Sequence, residues 1–213
     1  MNLSPEFSLI HHYFNTLTAE RDDVVVGIGD DCAVLYTPAN TLTAVSIDTL
    51  VQGTHFFADV DPYRLGIKAL AVNLSDLAAM GAEPAWFTLA LTLTEINDKW
   101  LKQFSAGLAE IAKQHRIQLV GGDTTRGPLS ITIQVHGHLQ AENMLRRNAA
   151  KPADLICVTG CLGDAAAALQ YKLGQLDKSA LSDTDIEYLL QRLEMPTPRN
   201  QIGQQLAGQA HAA

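Results

Sequence analysis

The amino-acid sequence predicts an α/β protein, and three observations support that fold class. First, alternating or β-branched runs typical of strands recur, at residues 24–26, 33–36, 42–50, 85–94, 117–120 and 129–139. Second, two long helical patterns lie between these runs, at residues 61–80 and 97–115. Third, the pattern begins again with a strand-like run and three helical segments, at residues 155–160, from 163 onward, at 183–193 and at 199–210. We therefore expect two domains, residues 1–149 and residues 150–213.

Capping residues support the predicted helices. Ser4 and Pro5 open a first helix as N-cap and first helical residue. Asp61 and Pro62 do the same for the helix at 61–80, and Gly81 ends that helix as a C-terminal cap. The helical segments therefore have defined ends in the sequence itself.

Composition narrows the functional classes. The 213-residue chain is 47% hydrophobic and 18% charged, with a formal net charge of −8 at pH 7, which argues against a general nucleic-acid or anionic-membrane surface. Cys32, Cys157 and Cys161 lack zinc-type spacing and fit a reducing compartment. No secretory signal pattern opens the sequence, and the longest apolar runs contain polar residues. Cytoplasm is the predicted location.

The loop at residues 27–31, Gly-Ile-Gly-Asp-Asp, carries the clearest chemical signal. Its glycines allow a tight turn and a close approach by a ligand. The adjacent carboxylates of Asp30 and Asp31 repel each other, by roughly 4 kcal/mol at about 4 Å and an effective dielectric near 20. Asp48, Asp76 and Asp123 lie in similarly apolar settings. The simplest way to gather such groups is a hard divalent cation, and oxygen ligands favour Mg²⁺.

Strand alternation groups two of the candidate metal ligands. Along residues 42–50, Ser46 and Asp48 fall on the same face, near the C-terminal end of the strand. Two interpretations of this stretch are about equally favoured. Either the two side chains are oxygen ligands of one metal, or the strand end emerges into solvent.

Two further aspartates lie in unusual positions. Asp76 and Asn73 share one face of the apolar second half of the helix at 61–80, where an ionised carboxylate is costly unless it is paired or metal-bound. The strand at 117–120 ends in Gly121-Gly122-Asp123, where backbone amides can approach a phosphate while Asp123 reaches a metal.

Other motifs are absent or weak. The sequence lacks a Walker A loop, a full dinucleotide-binding fingerprint and a Gly-x-Ser-x-Gly elbow. His55 is the histidine near the acidic positions, with functional and structural roles about equally favoured. Arg146 and Arg147 could clamp a phosphate, and an ordinary charged linker is the alternative. Residue patterns alone predict binding of divalent metals and a phosphorylated ligand, and they leave the reaction open.

Five stretches together resemble the thiamine-monophosphate kinase family, within the aminoimidazole ribonucleotide synthetase-like superfamily: residues 27–33, 48–51, 55–56, 68–82 and 121–127. The resemblance covers essentially the whole chain. It implies ATP-dependent phosphorylation of thiamine monophosphate to thiamine diphosphate with several Mg²⁺ ions. It also implies a mixed sheet with helices on one face, pairing through the sheet into a homodimer, followed by the start of a second α/β domain.

The resemblance also assigns residues by motif. The metal ligands would be Asp30, Asp31, Ser46, Asp48, Asp76 and Asp123. Gly122, Asp123 and Arg147 would contact ATP, and His55 would contact the thiamine phosphate. No general base is expected, because the attacking phosphate oxygen is already anionic at neutral pH.

The family's second domain continues with further substrate-binding residues beyond the position that corresponds to Ala213. We therefore expect this chain alone to bind metals weakly and to turn over poorly or not at all. Two alternatives stay open: another ATP-dependent small-molecule kinase or synthetase of the same fold, or a non-catalytic metal- or nucleotide-binding fragment.

Overall fold

The computed structural model describes residues 5–177, 179 and 181–213 of the chain, so the predicted cap Ser4 lies outside the described residues. The described helices are α1 (Pro5–Tyr13), α2 (Pro62–Ala79), α3 (Asp98–His115), α4 (Asp164–Lys172), α5 (Asp183–Glu194) and α6 (Asn200–Leu206). The described strands are β1 (Val24–Val26), β2 (Val34–Leu35), β3 (Leu42–Val51), β4 (Glu83–Leu93), β5 (Gln118–Arg126) and β6 (Ser130–Leu139). A short 3₁₀ helix covers Ala141–Asn143.

The strands form a mixed sheet and a small ribbon, which confirms the predicted fold class. The main sheet has the order β3-β6-β4-β5. β4 and β5 run parallel, whereas β6 pairs antiparallel with both β3 and β4. β1 and β2 form a separate antiparallel pair. β3 and β5 therefore lie at opposite edges of the main sheet.

The long helices α2 and α3 pack against each other through glycines, and α2 also contacts strands of the main sheet. A Cβ on Gly66 of α2 would lie 2.2 Å from the Phe104 carbonyl oxygen, and one on Gly107 of α3 would lie 2.0 Å from the Tyr63 carbonyl oxygen. No side chain larger than hydrogen fits at either point. The helices therefore approach closely, and the main hydrophobic core forms between them and the sheet.

Alternation along β3 agrees with the prediction. Ser46 and Asp48 point toward the partly buried face, whereas Val45 and Ile47 on the other face are 53% and 59% exposed. The outward face of this edge strand therefore presents large apolar side chains to solvent.

The predicted helix ends are confirmed. The Asp61 side chain caps α2 by accepting a hydrogen bond from the Arg64 amide at 3.1 Å. The Asn97 side chain caps α3 in the same way, at 3.0 Å from the Trp100 amide. Gly81 follows α2 with a φ of 71°, a conformation that glycine adopts without strain.

Two sequence predictions about strands need correction. β5 does not end at Val120 but continues to Arg126, with an irregularity in its pairing to β4 at Val120. Parallel pairing with β4 holds Gly121, Gly122 and Asp123 in the strand, so these residues do not form a loop. The predicted strand at 155–160 is not formed, because these residues pair with no described strand.

The C-terminal helices pack onto the first part of the chain. α4 contacts α5, and both α5 and α6 contact α2. The Asn200 amide donates to the Leu74 carbonyl oxygen at 2.9 Å. Arg64 of α2 bridges Glu187 and the buried Glu194 of α5, at 2.6 and 3.1 Å. Among the described residues, no helix is long and apolar enough to cross a membrane.

Candidate functional site

A cavity of about 530 Å³ lies beside the edge strand β5. The glycine loop contributes Asp30 and Asp31, and β5 contributes Gly122 and Asp123. Phe14, which directly follows α1, lines another side. The structure thus brings two sequence motifs that lie far apart in the chain to one concave surface.

The two aspartates of the glycine loop have different surroundings. The Asp31 amide donates to Asp30 Oδ1 at 2.8 Å, so part of the Asp30 carboxylate is used to hold the turn. Gly29 precedes this turn with a φ of 120°, which L-residues rarely adopt. The Asp31 side chain makes no hydrogen bond or ion pair with another described residue, so its carboxylate is available to a ligand.

Gly122 occupies a position that admits only glycine. A Cβ placed there would lie 1.9 Å from the Leu89 carbonyl oxygen of β4. The neighbouring Gly121 would meet nothing within 4 Å. Because β5 is an edge strand and Gly122 is exposed on it, the Gly122 backbone lies open on the wall of the cavity, where a ligand could approach the peptide units closely.

A second acidic group forms between β3 and α2. Ser46 Oγ donates to Asp76 Oδ2 at 2.5 Å, which joins the strand to the helix. Burial raises the pKa of Asp48, and the negative charge of Asp76 raises it further, whereas His55 opposes the shift. Two carboxylates near enough to repel each other are a suitable setting for a cation.

His55 lies close to this second group. Its Nδ1 accepts a hydrogen bond from the Val51 amide at 3.0 Å, and its carbonyl oxygen accepts one from Lys68 Nζ, also at 3.0 Å. His55 is exposed, so its ring is accessible to a ligand.

The two acidic groups are separate. Sheet register places Asp48 opposite Ile133, Ile133 opposite Leu89, and Leu89 opposite Gly122. Three strand spacings lie between the ends of this row, or roughly 14 Å between backbones. Within the described part of the chain, no three His, Cys, Asp or Glu side chains are close enough to hold one metal ion.

Donor chemistry nevertheless fits Mg²⁺ at both edges. All the candidate side-chain ligands are carboxylate or hydroxyl oxygens, which hard divalent cations prefer. Mg²⁺ commonly keeps several water ligands, so one or two carboxylates at each edge are compatible with its binding.

Arg147 is not part of the cavity described above. It is exposed in the turn after the 3₁₀ helix, and the residues that line the cavity with Asp123 do not include it. Its assignment to ATP stays a prediction.

Two cavity residues do not follow from the motifs. Phe14 is both buried and part of the cavity wall, a combination that a hydrophobic pattern does not distinguish from packing alone. Lys68 lines a second, smaller cavity, and a lysine inside an apolar helix is a usable signal because burying an ammonium group is costly.

The chain matches proteins of known family. A sequence model of the AIR synthase related protein N-terminal domain matches residues 29–139, just over half of the chain. A thiamine-monophosphate kinase of Salmonella typhimurium is 53% identical over 208 residues, covering 98% of this chain and 63% of that protein. The chain therefore spans less than two thirds of the length of this curated relative.

Solved structures agree with this match. Thiamine-monophosphate kinase from Stenotrophomonas maltophilia K279a superposes with a TM-score of 0.83 at 48% identity, covering 91% of this chain and 62% of that one. AaThiL, solved in complex with AMPPCP and TMP, gives a TM-score of 0.74 at 26% identity, covering 83% and 56%. From the sequence match and the shared fold, the chain belongs to the family of AIR synthase related proteins.

Proposed function

We propose that the protein phosphorylates thiamine monophosphate with ATP and forms thiamine diphosphate and ADP. An oxygen of the substrate phosphate would attack the γ-phosphorus of ATP, and the bond to the β-phosphate oxygen would break. The observation that carries this proposal is the cavity that brings Asp31, Gly122 and Asp123 together beside an open backbone edge. The relatives named above support the choice of substrates.

Each acidic group would serve the reaction by holding Mg²⁺. Asp30, Asp31 and Asp123 would do so at the β5 edge, and Ser46, Asp48 and Asp76 at the β3 edge. When bound, Mg²⁺ neutralises the negative charge of the phosphates and helps to align them.

Other groups of this chain would bind and orient the reactants. The exposed backbone at Gly122 lets a phosphate come close to peptide N–H groups. His55 would donate to the phosphate of thiamine monophosphate, and Arg147 would pair with ATP. No group is needed to remove a proton from the nucleophile, because the phosphate oxygen is already anionic.

We also propose that the protein is a homodimer that pairs through the outward face of the sheet. Val45 and Ile47 on this face are more than half exposed, and burying large apolar side chains is favourable by roughly 1.5–3 kcal/mol each. Light scattering at several concentrations should give twice the chain mass. A monomer mass at all concentrations would contradict the proposal.

Two further proposals concern the domain boundary and the location of the protein. Residues 1–149 would form one domain and residues 150–213 the start of a second, with the boundary in the irregular stretch that follows the 3₁₀ helix. Cytoplasm stays the predicted location, in agreement with the three unpaired cysteines.

The test is an assay of thiamine diphosphate formation from ATP, Mg²⁺ and thiamine monophosphate, read by chromatography. It should compare this chain with the same chain fused to the remaining segment of the Salmonella relative. Asp48→Asn should lower product formation by about a hundredfold, because a charged metal ligand is lost. Asp22→Asn is the matched control and should retain activity. The Asp22 carboxylate is exposed and makes no hydrogen bond or ion pair with another described residue.

The outcomes separate the alternatives. Activity restored only in the fusion would support the kinase assignment and show that the additional segment is required. Activity in neither protein would contradict the substrate assignment. Equal activity of Asp48→Asn and the unsubstituted protein would contradict the role given to the β3 group.

A further inference from the structure

Lys68 places a positive charge partly inside the fold. It lies in α2 and is half-buried, yet it forms no ion pair with any carboxylate among the described residues. The nearby Glu194 shares Arg64 with Glu187, so two cations and two carboxylates balance in this group. Burial lowers the pKa of Lys68, and the charge of Glu194 opposes that shift. Because burying an ammonium group is costly even near a carboxylate, a function for Lys68 should be sought.

A hydrogen bond of Lys68 points to a function. Its Nζ donates to the His55 carbonyl oxygen at 3.0 Å. Both residues line a cavity of about 270 Å³, whose wall also includes the apolar Phe57 and Leu169 and the acidic Glu194. Lysine has three N–H donors, and the contact with His55 uses one of them.

The ring of His55 is also fixed. Its Nδ1 accepts from the Val51 amide at 3.0 Å, so the proton of the neutral ring must lie on Nε2. His55 is thus held at two points, by Val51 at the ring and by Lys68 at the backbone carbonyl. Because His55 is exposed, Nε2–H is then a donor available to an anionic oxygen acceptor.

We propose that Lys68 is a positioning residue for His55, which it orients toward the phosphate of thiamine monophosphate. This inference rests on the proposed function and adds a residue that positions the proposed phosphate contact. Lys68 acts through His55, and no covalent step involves it.

The test compares binding of thiamine monophosphate with binding of thiamine, which lacks the phosphate, by calorimetry. Lys68→Met keeps the length of the side chain but removes charge and donors. It should weaken binding of the monophosphate about tenfold, the loss typical of one charge-assisted hydrogen bond, and leave thiamine binding within about twofold. Lys68→Arg should recover most of the loss.

Lys172→Met is the matched control. Lys172 lies near the same cavity, but its ammonium already contacts both oxygens of Asp59 at 2.9 Å and lies over the Phe57 ring. Its removal should change the affinity for neither ligand. Equal loss in Lys172→Met and Lys68→Met would overturn the proposal, since a general change in local charge would then explain both.

A second measurement needs no ligand. Nitrogen chemical shifts of the His55 ring report which nitrogen carries the proton, and Nε2–H should dominate in the unsubstituted protein and lose population in Lys68→Met. An unchanged ring in Lys68→Met would overturn the positioning role. Absence of monophosphate binding by the unsubstituted protein, together with the expected ring shift, would instead overturn the proposed function and support the contact between Lys68 and His55.

Discussion

Replacing Gly122 with alanine should destabilise the protein by about 3 kcal/mol. The added Cβ would lie 1.9 Å from the Leu89 carbonyl oxygen, so β5 would have to move away from β4 by about 1 Å. Backbone hydrogen bonds near 2.9 Å would then lengthen beyond the range of a real bond. Losing two or three of them, at about 1 kcal/mol each, gives the expected cost, which agrees with the usual penalty for overpacking.

Gly121→Ala is the matched control, because its Cβ would meet nothing within 4 Å. The assay is urea unfolding followed by circular dichroism, with the free energy of unfolding extrapolated to water. Gly121→Ala should change that free energy by less than about 0.5 kcal/mol. Equal stability of the two variants would refute the close approach of β5 to β4 at Gly122.

Two further predictions concern ion pairs. Arg64→Met should lower the free energy of unfolding in urea by about 3 kcal/mol, because it leaves the buried Glu194 unpaired. Glu187→Ala removes a mostly exposed partner of Arg64 and should cost less than about 1 kcal/mol. Similar costs for the two variants would contradict this reasoning. The hydrogen bond from Arg21 lowers the pKa of Asp23 below its ordinary 3.8, so folded Asp23 binds fewer protons than unfolded Asp23. Its stabilisation is present above pH 3.8 and is lost as pH falls through the lower folded value. Unfolding measured from pH 6 down to about pH 2 should therefore show a weaker acid dependence in Asp23→Asn, and identical pH curves would contradict the assignment.

Local sequence rules predicted the elements well wherever the cause is local. Caps at Asp61 and Asn97 depend on side chains that bond amides a few residues away, so they can be identified from sequence alone. Alternation along β3 likewise needs only the two-residue period of a strand. The extension of β5 to Arg126 could not be predicted in this way, because it depends on pairing with β4, a distant segment.

The missing strand at 155–160 shows the converse case. Its residues have strand preference, but Leu155 and Ile156 are 90% and 98% exposed and pair with no described strand. A strand is stabilised by ladder hydrogen bonds and by burial of one face, and neither is present here. Strand preference alone therefore does not form a strand. The sequence pattern shows only that the segment is suited to pair with another strand.

The acidic residues illustrate the same limit at the level of the site. The apolar sequence around Asp76 suggested a buried carboxylate, but Asp76 is exposed, as is Asp123, and only Asp48 is partly buried. The prediction of a buried, costly charge at Asp76 is therefore wrong, because the side chain points away from the apolar face of the helix. The grouping of the acidic residues could not be predicted either, because it depends on strand order. Asp48 and Gly122 occupy the two ends of one row across the sheet, with β6 and β4 between them. Strand order therefore decides which acidic residues lie near one another, and a local sequence pattern does not contain the strand order.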